Sequence, residues 1–192
     1  LQVPGFSGDP LAEAQSRRAP GLLHKYEGRA LLVTTGACAV HCRYCFRRHF
    51  PYDEENASRG SFEPALAAIG RDPSIREVIL SGGDPLSLSD RRLAELFDGL
   101  LAVSHVRRLR LHTRLPIVLP ERIDAGFLGL WSAVPLQKVV VVHANHAREL
   151  DGSVRAAIES LQSTRTTVLN QAVLLRGVND SADDLVTLSE AL

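Results

Sequence analysis

Short, nearly continuous apolar runs alternate with amphipathic segments along residues 29–192, and that alternation is the strongest constraint on the fold. The runs are Ala30 to Thr35, Glu77 to Leu80, Val106 to His112, Lys138 to His143 and Thr167 to Leu174. Between them lie a helical Pro64 to Gly70 and three longer segments, Ser89 to Leu101, Ile123 to Ser132 and Ser153 to Gln162, with apolar residues at spacings of three and four. The run Val139-Val140-Val141-Val142 carries no polar alternation, which calls for burial on both faces, as in a parallel sheet covered by helices. The pattern predicts an α/β fold with about five strand–helix units. A closed eight-stranded barrel takes about 250 residues, and this chain has 192. An open or partial (β/α) barrel core over residues 29–192 is therefore expected. In such a fold the chemistry belongs at the C-terminal ends of the strands.

Residues 1–28 are rich in Pro, Gly and Ser and predict a connecting arm with one short helix near Leu11 to Arg17. Twenty-two Lys plus Arg balance twenty-two Asp plus Glu, so no summed positive field exists to hold nucleic acid or an anionic membrane. No apolar run reaches the roughly 18 to 20 residues of a membrane span, and no signal-peptide layout opens the chain. A cytoplasmic protein is expected. The chain contains no methionine, and Leu192 closes a helical pattern without a stop signal. Both features predict a segment of a longer protein.

All three cysteines fall in Gly36-Ala-Cys38-Ala-Val-His-Cys42-Arg-Tyr-Cys45, directly after the first of the five runs. An odd number so closely spaced is no disulfide framework. Structural zinc sites normally close with four ligands, and electron-carrying [4Fe-4S] clusters take four cysteines. Three thiolates without a fourth leave one position open, where a substrate or cofactor can coordinate. The competing readings are a Cys3His zinc knot using His41 or His49, or three buried thiols. The second loop, Ser81-Gly82-Gly83-Asp84-Pro85, follows the next run. Its glycines permit close backbone approach to a ligand, and its carbonyls with Asp84 can accept hydrogen bonds from an ammonium. Taken alone, Gly-Gly-Asp-Pro is also a common turn sequence.

C-x3-C-x2-C after a first barrel strand resembles the radical S-adenosylmethionine (SAM) enzymes. The resemblance implies a [4Fe-4S] cluster on Cys38, Cys42 and Cys45, and an open iron that chelates SAM. It also implies a 5′-deoxyadenosyl radical that abstracts hydrogen from the substrate. Tyr44 would contact or shield the cofactor, and Ser81, Gly82, Gly83 and Asp84 would hold the SAM amino group.

Longer stretches resemble the lysine 2,3-aminomutases: Leu22-Leu-His-Lys-Tyr-Glu-Gly-Arg29, Cys42-Arg-Tyr-Cys-Phe-Arg-Arg-His-Phe50, Arg114-Leu-Pro-Ile-Val-Leu-Pro-Glu-Arg122 and Asn170-Gln-Ala-Val-Leu-Leu-Arg-Gly-Val-Asn-Asp180. Phe46 to Tyr52 is similar to the shorter bacterial branch that makes (R)-β-lysine for modification of elongation factor P. That family implies pyridoxal 5′-phosphate (PLP) as a further cofactor. Its partners would be free L-lysine and an electron donor such as flavodoxin or ferredoxin, with homo-oligomerisation left open. By the same resemblance Arg29 with Tyr26 holds the PLP phosphate, Arg47 pairs with the substrate α-carboxylate, and Asp180 meets the substrate ε-ammonium. Guanidinium suits both anion sites because its planar fork binds two oxygens at once. The plainer readings are a solvated basic patch for Arg43, Arg47, Arg48 and His49, and a turn residue for Asp180. The only lysines are Lys25 and Lys138, and neither matches the family's PLP-anchoring lysine, which is expected after Leu192 together with the final barrel strand. Two other outcomes stay open: an aminomutase for glutamate or another amino acid, and a non-catalytic metal-binding domain.

Overall fold

The computed structural model of the protein describes residues 7–55, 57 and 61–192; the first six residues of the expected arm lie outside them. A 3-10 turn at Glu13–Ser16 leads into β1 (Arg17–Ala19), β2 (Leu22–Tyr26) and β3 (Arg29–Thr35). The chain then alternates as α1 (Glu63–Arg71), β4 (Glu77–Gly82), α2 (Asp90–Leu101) and β5 (Arg108–Thr113). It continues through α3 (Leu115–Val118), α4 (Ala125–Ala133), β6 (Gln137–Val142), α5 (Gly152–Ser163), β7 (Thr166–Asn170) and α6 (Ala182–Ala191). The seven strands form one sheet in sequence order. From β3 to β7 every neighbouring pair is parallel. The sheet is the expected α/β partial barrel, with five strand–helix units.

The N-terminal segment departs from the expected arm. Its short helix is a 3-10 turn, and it adds two antiparallel strands, with Leu22 opposite Leu32 and Leu23 opposite Leu31.

Alternate residues of the strands face opposite ways, and this divides the molecule. Ala30, Leu32, Val78, Leu80, Leu109, Leu111, Val140 and Val142 pack with Leu93, Leu96, Leu100, Phe127, Trp131 and Leu161 of the helices in one apolar core. Helices begin where side chains can satisfy their first N–H groups: Ser89 accepts from Arg92, Asp124 from Phe127, Asp151 from Val154, and Ser181 from Asp184. The buried Trp131 indole donates to the Thr166 hydroxyl at 2.8 Å. The other sheet face carries Leu31, Ile79, Ser81 and His112 and lines a cavity. Among the described residues no helix is long and apolar enough to cross a membrane.

Candidate active site at the strand C-termini

Each parallel strand ends in a loop that reaches the same cavity of about 370 Å³. β3 contributes Cys38, Cys42, Tyr44, Cys45 and Arg47; β4 contributes Gly82, Gly83 and Asp84; β5 contributes Arg114. His143 follows β6 and Gln171 follows β7.

The cysteine loop is a chain of tight turns, with the Cys45 N–H on the Cys42 carbonyl (3.1 Å) and the Arg48 N–H on that of Cys45 (3.3 Å). It is fastened to the loop after β4. The Gly83 N–H donates to the Thr35 carbonyl at 2.7 Å, and the Asp84 N–H to that of Ala37 at 2.8 Å. Such contact demands glycine: Gly82 has φ +116°, and a Cβ there would lie 2.7 Å from the Thr35 oxygen. A Cβ on Gly83 would collide with the Ala37 carbonyl. These glycines admit the cysteine loop, a protein neighbour, and both also line the cavity.

Asp84 is equally committed. It is buried, with Oδ1 accepting from the Leu86 N–H (3.0 Å) and the Thr113 hydroxyl (2.7 Å), and Oδ2 from the Arg114 N–H (2.7 Å). Burial raises its pKa, against the lowering effect of those donors. Asp84 therefore latches three loops together at the cavity wall.

The three cysteines are free thiols, with Cys38 and Cys42 half-buried and Cys45 exposed. Burial, followed by the charges of Asp84, Cys45 and Cys42, pushes the Cys38 thiol up to about 11. Three thiols at the wall that also holds a buried carboxylate offer soft donors to a bound metal centre. Among the described residues no three His, Cys, Asp or Glu side chains are placed to hold a single ion. His41 and His49, the fourth ligands a zinc knot would use, are both exposed. Three soft sulfur donors spread around one cavity suit a multi-iron cluster, which takes each thiolate on a different iron.

Cations and orphaned polar atoms complete the wall. The Arg114 guanidinium donates to Cys42 Sγ at 3.5 Å and to Glu149 Oε2 at 2.7 Å, and lies over the Tyr44 ring at 5.5 Å. Asn145 Nδ2 donates to the Tyr44 hydroxyl at 2.6 Å, fixing that ring. Arg114 Nε and His143 Nε2 are buried without a hydrogen-bond partner among the described residues. Burial lowers the pKa of His112 and of His143 to about 4 each, so both rings are neutral at pH 7. Two unmet polar atoms beside three thiols fit a polar cofactor such as SAM.

Lys25, Tyr26 and Arg29 also line the cavity, with both cations over the Tyr26 ring at 5.8 and 5.7 Å. Arg29 has no carboxylate partner among the described residues, which fits a phosphate. Lys25 Nζ donates to the Leu11 carbonyl at 2.7 Å, whereas Lys138 is buried with Nζ on the Trp131 carbonyl at 3.0 Å. Lys138 is thus turned away from the cavity, which Lys25 and Arg29 line.

Cys38, Cys42, Cys45, Tyr44, Ser81, Gly82, Gly83, Asp84, Tyr26, Arg29 and Arg47 are all brought to this cavity. Asp180 is not among its lining residues and is exposed just before α6. Arg43, Arg48 and His49 are exposed, as a solvated patch would be, whereas Arg47 is only 6% exposed. The sequence reading missed Glu13, His112, Arg114, Asn145, His143 and Glu149. Arg114 could have been found from its place immediately after a strand.

A parallel α/β sheet whose first parallel strand feeds three cysteines into a cavity ringed by the strand C-termini is consistent with a partial radical SAM domain. The chain is 48% identical over 192 residues to the L-lysine 2,3-aminomutase of Haemophilus influenzae, covering 100% of this chain and 57% of that protein. It is 50% identical over 190 residues to the L-lysine 2,3-aminomutase of Escherichia coli, covering 99% and 55%. To the protein of that name from Fusobacterium nucleatum it is 37% identical over 178 residues, covering 90% and 41%. Over the region it spans, the chain is similar to proteins named L-lysine 2,3-aminomutase. It spans about half the length of the curated relatives it matches. No family model matches the sequence.

Proposed function

We propose that this chain forms the cluster- and SAM-binding part of an aminomutase. The enzyme moves the α-amino group of L-lysine to carbon 3, and its β-lysine product serves elongation factor P modification. The carrying observation is convergence: three thiols, two unmet polar atoms and a buried guanidinium come from successive strand ends to one cavity. Similarity to proteins named for lysine supports the substrate.

In this reading Cys38, Cys42 and Cys45 hold a [4Fe-4S] cluster. SAM lies against Tyr44, Ser81, the Gly82-Gly83 turn and the wall around His143 and Arg114. Tyr26 and Arg29 seat the PLP phosphate, and Arg47 receives the substrate carboxylate. When bound, these groups supply a 5′-deoxyadenosyl radical from one-electron cleavage of SAM and activation of the substrate amine. The protein's own work is placement, which is worth several kcal/mol of a barrier. Asp84 locks the loops, the Asn145–Tyr44 bond fixes the ring beside the cysteines, and neutral His112 and His143 keep uncompensated charge off the inner wall. A reductant of the flavodoxin or ferredoxin type delivers the electron.

Anaerobic reconstitution of the chain tests this reading. Iron and sulfide should load as a four-iron cluster whose electron-paramagnetic signal changes on adding SAM, and Cys42→Ala should lose that response. Stoichiometric zinc, or a cluster signal indifferent to SAM, would overturn it.

A further inference from the structure

Arg47 does not stand alone. Its Nε donates to Glu13 Oε2 at 2.9 Å and its Nη2 to Glu13 Oε1 at 2.6 Å, a two-pronged pair across one edge of the fork. Nη1 donates to Ser81 Oγ at 3.0 Å. The guanidinium is 6% exposed and lies over the rings of Phe46 and Phe50, at 4.7 and 5.9 Å. A guanidinium has five N–H donors, of which three are used here. The two that remain, one on Nη1 and one on Nη2, have no acceptor among the described residues. They sit on the two Nη atoms of a side chain that lines the cavity.

Glu13 is held with equal care. Asp9 accepts from its backbone N–H at 2.9 Å and from that of Ala14 at 3.1 Å. Lys25 Nζ ties the neighbouring Leu11 carbonyl to β2 at 2.7 Å. Between them Ala12 sits at φ 51°, in the left-handed region that non-glycine residues rarely occupy and that costs on the order of 1 kcal/mol. The segment accepts strain to place one carboxylate. A buried ion pair is a poor source of stability, because desolvation offsets much of its Coulomb gain. What it supplies is geometry: an arginine fork held along its Nε edge, with one N–H left on each Nη.

We propose that Glu13 is a positioning residue for substrate recognition. It clamps the Nε edge of Arg47 so that the Nη1 and Nη2 end meets the carboxylate of the amino-acid substrate. The pair is neutral overall, so the end-on contact selects a carboxylate by its two-oxygen shape more than by net charge. The N-terminal segment thereby becomes part of the site. This inference rests on the reading of the cavity as a lysine site.

Steady-state kinetics of the full-length enzyme, loaded with cluster, SAM and PLP, tests it. L-Lysine is the substrate, and 1,5-diaminopentane, which lacks the carboxylate, is the competitive inhibitor. Glu13→Gln keeps the size but offers an amide NH2 to an arginine donor. It should raise the KM for lysine about tenfold or more, change kcat less than threefold, and leave the Ki of diaminopentane within twofold. Glu13→Asp, with charge kept and reach shortened, should fall between. Cluster content and its response to SAM report folding in each variant. Equal weakening of lysine and diaminopentane would make Glu13 merely structural. A fall in KM would mean that Glu13 occupies the substrate's seat and competes for it. Unchanged kinetics would remove it from recognition. A fully loaded wild type that cleaves SAM but neither binds nor converts lysine would instead sink the functional reading, and the clamp's purpose with it.

Discussion

His112 and His143 meet ring to ring at 5.8 Å on the inner wall, and burial is the main reason both stay neutral. Their folded pKa values of about 4 lie below the ordinary 6.5. The unfolded chain therefore binds more protons between these values. Their contribution to stability is fully present above pH 6.5 and is lost as pH falls toward 4. Urea unfolding of the chain should give a free energy that drops on acidification, by at most about 1.4 kcal/mol per pH unit for each ring. His112→Gln should flatten that slope, and an unchanged slope would show that His112 is not the titrating group. Asp84 makes a second residue-scale case. Asp84→Asn leaves an amide facing one of three donors, and should lower stability by about 2–3 kcal/mol in the same assay. Wild-type stability for that variant would mean the latch is dispensable. Neither role was legible beforehand. Asp84 was read as an ammonium acceptor because its donors, Thr113 and Arg114, come from the next strand. Glu13 was passed over because its partner Arg47 lies 34 residues away.

Elements were legible where the chain repeats a period. β3 to β6 and the helices α1, α2, α4 and α5 fall within a few residues of the apolar runs and the three- and four-residue spacings, since burial against one core sets both. β1 and β2 were missed. They are short, interrupted at Pro20-Gly21, and carry Arg17, Arg18, His24 and Lys25; only pairing with β3 makes them strands. β7 ends at Asn170, short of the expected Leu174, because the Asn170 side chain turns to the backbone of Ala144. The joint between two loops is the element-scale feature that most affects chemistry. Gly83→Ala forces a Cβ into the Ala37 carbonyl and must part the loop after β4 from the cysteine loop. We expect far-ultraviolet circular dichroism close to wild type, with iron incorporation after anaerobic reconstitution reduced at least several-fold. Full iron loading in Gly83→Ala would show that the cysteine loop holds its shape without that contact.

The molecule as a whole is a sheet with one face closed by helices and with β1 and β7 each paired on one side only among the described residues. β1 is three residues long and bears two arginines, features that discourage pairing with another chain. β7 is longer and less protected. Leu169 on this strand is 45% exposed, and Leu174, Val178 and Val186, in the segment that follows and in α6, are 70%, 44% and 54% exposed. A formal net charge of zero supplies no long-range repulsion to keep such surfaces apart. An edge with free backbone groups beside exposed leucines is a template for association. The 192-residue chain should therefore self-associate at micromolar concentration, measurable by sedimentation velocity, and the association should persist at high salt because its drive is apolar. Leu169→Lys together with Leu174→Lys should shift the distribution toward monomer. Leu119→Lys, at a leucine 44% exposed after α3 and far along the chain from β7, should not. If the double variant associates as strongly as wild type while remaining folded, the β7 edge is not the contact and the exposed leucines there are inert in solution.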